Sequence, residues 1–319
     1  MNRPKVSVVM ITYNHENFLR EAIDSVLNQE FSYDYELIIG EDKSPDNSRI
    51  ILKEYEKKYP EKIKVFYRES NMGPINNFYD MFLKAKGEYI VYLEGDDYWI
   101  DKYKLQKQVE FLENNSEYFG CFHIVNDIED GKLLSTYPSK ENLATSRIDV
   151  VNNPGELINL IGESNFIGTI HINSIMFRNK INFNNEKIMS FIKDAKMIAD
   201  LQLQIVILNH GKLKLIRRPM AVHRRVTKEN WTSFSSQKFK FIYEDYRHVL
   251  GNIDGFLNGK YKTEVITIID KYNKSSIIGA IANKDYSLAR KIFKELKILS
   301  KISSMLRVIK YLLKTLIKN

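Results

Sequence analysis

An α/β fold with a mostly parallel sheet and helices on both faces is predicted by three observations. Short β-branched or aromatic runs alternate with segments of helical period four times within about the first 95 residues. Polar and acidic clusters recur at the carboxyl ends of those runs, where sheets of this kind bind ligands. The 44% apolar and 28% charged content is that of an ordinary globular chain able to bury a core.

The elements follow in order. Val6–Ile11 reads as a buried strand, and Thr12–Glu16 as the loop after it. Phe18, Leu19, Ala22, Ile23, Val26 and Leu27 recur at three- and four-residue steps and predict a helix over Glu16–Gln29. Tyr35–Ile39 is the second strand. The turn Gly40–Asp46 leads to a helix over Ser48–Tyr59, with Asp46 or Asn47 as its cap. Ile63–Tyr67, Ile75–Ala85 and Tyr89–Leu93 supply a third strand, a helix and a fourth strand. Asp101 reads as the cap of a helix over Lys102–Glu113. Later spacing predicts a hairpin around Cys121–Leu134, a polar loop over Ser135–Arg147 and a strand over Ile172–Phe177. A helix over Asp194–Asn209 and a strand over Leu213–Ile216, stopped by Pro219, follow. From Gln237 onward the pattern is helical. These readings divide the chain into 1–232 and 233–319.

Charge and composition exclude several classes. The chain of 319 residues carries a formal charge of +8, and all of it is formally accounted for by residues 290–319, with nine basic groups and one acidic. A neutral body with a cationic tail is not a nucleic-acid coat, and no nucleic-acid partner is expected. A single cysteine, Cys121, precludes an internal disulfide and suits a reducing compartment. No stretch reaches the ~18 apolar residues of a membrane span. Met1 leads directly into a strand pattern, so no signal peptide is expected. No glycine-rich loop of the dinucleotide or P-loop type is present.

The chemistry concentrates at three strand ends: Thr12-Tyr13-Asn14, Glu41-Asp42 and Glu94-Gly95-Asp96-Asp97. Three carboxylates within four positions repel one another unless a cation offsets them. Mg²⁺ or Mn²⁺ would need only one or two, completing its shell with water and phosphate oxygens. The alternative is a solvated acidic turn, which the position at the carboxyl edge disfavours.

Val8–Asn14, Gly40–Asp46, Asn71-Met72-Gly73 and Ala85–Trp99 together resemble the family-2 glycosyltransferases, over about residues 5–232. Those enzymes are inverting, use nucleotide sugars and have the GT-A fold. The resemblance implies that Thr12, Tyr13 and Asn14 line the nucleoside pocket and that Asp42 holds uracil or ribose. Glu41 stands beside it where many members have Asp, and Asn71 falls in the donor loop. Glu94 and Asp96 correspond to the family's DxD motif, with Asp96 or Asp97 on the metal and Glu94 directed to ribose. Asp200 falls where the family places its general base. Relatives often carry Tyr-Arg-x-His after the last core strand. Here the segment is His223-Arg224-Arg225-Val226, and the aligned position is Val226. Either Arg224 and Arg225 supply charge to the diphosphate, or a shifted His223 does. Tyr98 and Trp99 are candidates for stacking on a sugar, or equally for the core. His171 and Ser174 lie near the expected acceptor cleft, where a structural role is expected of both.

The resemblance implies transfer of a sugar, UDP-linked, to a hydroxyl of a glycan acceptor in bacterial surface-polysaccharide synthesis, with Mn²⁺ or Mg²⁺ as cofactor. Two other readings are an inactive nucleotide- or carbohydrate-binding protein on the same fold and a nucleotidyltransferase. The acidic cluster together with Asp200 argues against the first, and the missing phosphate loop against the second. Apolar residues from Ile292 to Ile317 recur at helical spacing, with Lys and Arg mostly on another face. Residues 290–319 are thus expected to form an amphipathic helix on an anionic membrane, where a lipid-linked acceptor would be found. Packing on the catalytic domain or on a second copy in a homodimer is the alternative. The expected location is the inner face of the plasma membrane, on the cytoplasmic side.

Overall fold

The computed structural model describes residues 3–144, 147–163, 169–196, 199–225 and 239–296, together with Ser304, Met305 and Val308. The chain divides into two compact units, Met1–Glu156 with Gly168–Arg225, and Leu157–Ile167 with Val226–Asn319.

The first unit opens with β1 (Val6–Thr12), α1 (Leu19–Leu27), β2 (Tyr35–Glu41), α2 (Ser48–Lys58), β3 (Ile63–Tyr67), α3 (Pro74–Lys84) and β4 (Tyr89–Glu94). Strand β1 pairs in parallel with β2 and β4, and β2 in parallel with β3. All seven residues of β1 are buried, as a strand covered on both faces must be. Asp46 links the first two helices: its carboxylate accepts from the Ser48 amide at 3.0 Å and the Glu16 amide at 2.8 Å. Register brings the strand ends level, with Thr12 opposite Glu41 and Ile11 opposite Glu94.

The second half is less regular. It comprises β5 (Tyr98–Trp99), α4 (Lys104–Asn114), β6 (Tyr118–Glu129), β7 (Lys132–Tyr137), α5 (Lys140–Ala144), β8 (Val150–Val151), the start of α6 (Pro154–Glu163), whose residues from Leu157 on belong to the second unit, a 3₁₀ turn (Ile172–Ser174), β9 (Met176–Arg178), α7 (Glu186–Lys193), α8 (Asp200–His210) and β10 (Lys212–Arg225). The sheet order is β3-β2-β1-β4-β9-β6-β10-β5, with β7 on β6 and β8 on β10. Strand β9 is antiparallel to β4 and β6, while β10 runs parallel to β6.

Four sequence expectations are corrected here. Ile172–Phe177 is not one strand, because the 3₁₀ turn occupies its first half. Ser135–Arg147 is not all loop: Ser135–Tyr137 complete β7, and Lys140–Ala144 form α5. The helix expected over Asp194–Asn209 starts at Asp200, and the preceding α7 ends at Lys193. Pro219 does not stop the last strand: register shifts on either side of it let β10 continue to Arg225. Pro219 stands opposite Ile124 between these two irregularities, and bulges are where a strand tolerates a proline.

The second unit contains α9 (Phe239–Phe256), α10 (Lys262–Ala282) and α11 (Tyr286–Glu295), packed around Tyr243, Ile277, Ala280, Leu288, Ala289, Ile292 and Leu296. The single helix expected over 290–319 is corrected at its start. Leu296 is extended at φ −70° and ψ 146°, ending α11. Ile292 and Leu296 are buried in this unit's core, so the first part of the apolar stripe is occupied. Most of the stripe beyond Leu296 lies outside the described residues. No described helix is long and apolar enough to cross a membrane.

Candidate active site

Two loops shape one side of the site. Thr12 is buried, and its Oγ1 lies 3.3 Å from His15 Nδ1. Asn14 adopts a left-handed φ of 61°, and its amide donates to Ser44 Oγ at 3.2 Å. Tyr13 between them stays exposed. Asp42, at the end of β2, is buried and accepts the Met72 amide at 2.8 Å. Burial raises its pKa above the ordinary value, partly offset by the amides of Met72 and Gly73. Asn71 is exposed, with its side-chain oxygen accepting the Gly73 amide. Glu41, expected among the donor residues, precedes Asp42 at the end of β2. Its carboxylate is fully buried, accepts the Ser44 amide at 2.5 Å and pairs with Arg49, so it braces the loop from within.

The acidic turn follows β4. Gly95 is required there: a Cβ would lie 2.8 Å from both Thr12 Oγ1 and His15 Nδ1. This close approach sets the acidic turn against the first loop. Asp96 carries a side chain 3.8 Å from His15 Nε2. Asp97 is fully buried, with Oδ1 accepting the Arg224 amide at 3.0 Å and Oδ2 accepting Asn173 Nδ2 at 2.8 Å. Glu94 is half-buried, with Tyr92 Oη 3.4 Å away. Asp200 arrives from the first turn of α8, more than a hundred residues later.

Three of these carboxylates are raised, Glu94 and Asp97 partly by acidic neighbours. Burial, then Asp96, Asp97 and Asp200, hold the Glu94 pKa well above the ordinary carboxylate range. Burial and the nearby Asp96 push Asp97 up to about 7, against the pull of His223. Burial raises Asp200 to about 6, again against His223. Such elevation marks a pocket short of positive charge.

His223 is the basic side chain that acts on Asp97 and Asp200. Its Nδ1 lies 3.0 Å from Asp127 Oδ1. Burial lowers its pKa, but Asp97, Asp127 and Asp96 outweigh that and leave it raised. His171 stacks 4.7 Å away and is pushed down to about 3 by burial and by His223. Arg224 follows His223 on β10. Its guanidinium donates to the Asp96 carbonyl at 2.9 Å, pairs with Glu21 and lies 4.2 Å from the Tyr98 ring centroid. It clamps the acidic turn onto α1. Trp99, expected either on a sugar or in the core, is 5% exposed and sits in the core, with Lys104 Nζ 4.3 Å from its ring centroid. Tyr98 remains half-buried beside Arg224. Val226 lies outside the described residues.

The pocket's chemistry fits a hard divalent cation. Its donors are carboxylate oxygens in excess of local positive charge. Because both oxygens of Asp97 are engaged, Asp96 is the carboxylate suited to hold the ion, which narrows the earlier expectation of Asp96 or Asp97. Among the described residues no group of three or more His, Cys, Asp or Glu forms a complete ligand cage. Mg²⁺ or Mn²⁺ with one or two protein carboxylates needs none.

Sequence reading missed Asp127, Asn173 and Ser135. Asp127 had a signal, a carboxylate on the inward phase of a strand where Val125 is also buried. Asn173 had none, because its role depends on a 3₁₀ turn.

Comparison with known proteins places this geometry. Residues 7–178 match Glycosyl transferase family 2. An uncharacterized protein of Mycobacterium tuberculosis is 33% identical over 237 residues, which are 74% of this chain and 63% of that protein. The chain thus spans less than two thirds of that relative's length. The putative teichuronic acid biosynthesis glycosyltransferase TuaG of Bacillus subtilis is 39% identical over 135 residues, 42% of this chain and 52% of that one. Two solved structures share the fold. S. aureus TarS 1–349 in complex with UDP-GlcNAc has a TM-score of 0.57 at 17% identity, covering 90% of each chain. The mannosyltransferase PcManGT from Pyrobaculum calidifontis, in complex with GDP-Man and Mn²⁺, has a TM-score of 0.55 at 14% identity, covering 98% of this chain and 81% of that one. The sheet is therefore of the GT-A type, and the chain belongs to glycosyl transferase family 2.

Proposed function

We propose that this chain moves a sugar from a nucleoside diphosphate, UDP, to a hydroxyl of a glycan acceptor, with inversion. The observation that carries the reading is the convergence of Asp200, from the start of a distant helix, on the electrostatic environment of Glu94, Asp96 and Asp97. Asp42 and the Thr12–Asn14 loop hold the nucleoside, with Asn71 and Glu94 beside it. Asp200 takes the proton from the acceptor hydroxyl as that oxygen attacks the sugar. Its pKa of about 6 suits a base that is ionised yet still basic at neutral pH. His223 faces the diphosphate, where negative charge grows as the sugar leaves. A divalent cation held by Asp96 would neutralise that charge further. Tyr98 is the aromatic left to touch a sugar.

The ligands named for TarS and PcManGT support a nucleotide-sugar donor and a divalent cation. TuaG supports a place in surface-polysaccharide synthesis. The basic stretch 290–319 supports work at the inner face of the membrane on a lipid-linked acceptor, and residues 1–232 are the catalytic domain in this reading.

The test is UDP release from a panel of UDP-sugars with Mn²⁺, with and without acceptor glycan. Acceptor-dependent release is expected. UDP binding without release across donors and acceptors would favour the inactive binding protein.

A further inference from the structure

We propose that Asp127 is a positioning residue for transfer: it fixes Nδ1 of the His223 ring and so reserves Nε2 for the acidic pocket. The proposal rests on reading that pocket as the transfer site, and it adds a residue that touches neither donor nor acceptor.

Sheet register builds the arrangement. Asp127 of β6 stands opposite His223 on β10 and opposite Ser135 on β7. Arg225 lies two residues beyond His223, on the same face of β10. One fully buried carboxylate therefore gathers His223 Nδ1 at 3.0 Å, Ser135 Oγ at 2.6 Å, Arg225 Nε at 3.0 Å and Arg225 Nη2 at 2.6 Å.

The pattern exceeds what structure alone requires. Arg225 already neutralises Asp127 through two hydrogen bonds, and Ser135 adds a third. The fourth contact, with His223, also helps hold the Asp127 pKa down, and it fixes which ring nitrogen of His223 is turned away from the pocket. His171 and Tyr137 hold the ring from other sides, at 4.7 and 5.9 Å between centroids. Burial and His223 push His171 down to about 3, while the carboxylates around His223 raise its pKa. The groups acting on that ring are thus Asp127 and Arg225, the neutral His171 and Tyr137, and the carboxylates Asp96, Asp97 and Asp200. A donor fixed before the diphosphate charge develops stabilises it without reorganising.

Four proteins test this: Asp127→Asn, Asp127→Ala, His223→Gln and the double variant Asp127→Asn/His223→Gln. Loss of a residue that orients a site group typically costs about 10–100-fold. Asp127→Asn is expected to lower kcat by about that factor while donor KM stays within about threefold. The double variant is expected to be no worse than His223→Gln by more than about threefold, because both changes remove one function. Losses that multiply, or an unchanged kcat in Asp127→Asn, overturn the proposal. Ring-nitrogen NMR of histidine-labelled protein, without metal or donor, gives an independent arm. The His223 signals are assigned by their loss in His223→Gln. Wild type is expected to show a protonated, hydrogen-bonded Nδ1 from about pH 6 to 8, and Asp127→Ala to lose it. An Nδ1 without its proton in wild type overturns the proposal even if the variants fail to fold. If wild type shows the NMR signature but no turnover with any donor, the transfer reading fails and the positioning does not.

Discussion

The molecule holds two groups of buried acids within one sheet, and they differ in how their charge is met. Asp127 is met by His223, Arg225 and Ser135, and despite burial its pKa falls well below the ordinary range. Glu94, Asp97 and Asp200 are met by little besides His223 and a few amides, and their pKa values rise. The residue type is nearly the same, and Asp97 is as fully buried as Asp127. The difference teaches that compensation, rather than acidity, separates a structural carboxylate from one kept for a ligand. Glu41, buried against Arg49 and the Ser44 amide, belongs with Asp127 in this respect.

Substitutions that remove charge from one group should therefore read out differently from those in the packing around it. The largest effect is expected at Asp200. Asp200→Asn should lower turnover by about 10²–10⁴-fold while calorimetric UDP binding survives, and retained turnover would remove it as the base. Trp99→Ala should cost about 3–5 kcal/mol of stability, measured by urea unfolding, because the ring is in the core. Tyr98→Ala should change stability by about 1 kcal/mol or less, although it faces the same turn. Gly95→Ala should cost about 1–3 kcal/mol through overpacking against Thr12 and His15, and should weaken UDP binding by displacing the first loop.

The smallest effect is a pH dependence of melting. Asp97 and Asp200 titrate at about 7 and about 6 when folded, against about 4 for a carboxylate in the unfolded chain. The folded state therefore binds more protons across that window. Its extra stability is full below about pH 4 and is lost as pH rises through about 6 to 7. In chelator the melting temperature should fall between pH 6 and 8 on this account. Saturating Mn²⁺ should flatten the slope, and a melting temperature that rises over the same window would contradict the reading.

How much of this was legible in the sequence follows from where periodicity holds. The four strands and three intervening helices up to Glu94 are read directly, because β1, β2 and β4 are almost wholly buried and the helices carry apolar stripes. The acidic turn was legible for the same reason, being tied to a strand end. The later half resists. Strand β9 has only three residues, β10 continues past a proline by bulging, and α8 is apolar on every side. Asp200 was found by resemblance, since an all-round apolar helix gives no sign of what its first residue faces. For Trp99 and Glu41 the sequence left side-chain direction open, because adjacency to a motif does not reveal it. Burial turns Trp99 to the core and Glu41 to Arg49.

The central claim is that the under-compensated acids receive a cation-bound nucleotide. Calorimetry of UDP binding with and without Mn²⁺, on wild type and Asp96→Asn, tests it most directly. Wild type should bind UDP at least about tenfold more tightly with Mn²⁺, a gain of about 1.4 kcal/mol, and Asp96→Asn should lose that gain. Equal binding with and without Mn²⁺, or an undiminished gain in Asp96→Asn, would contradict the account.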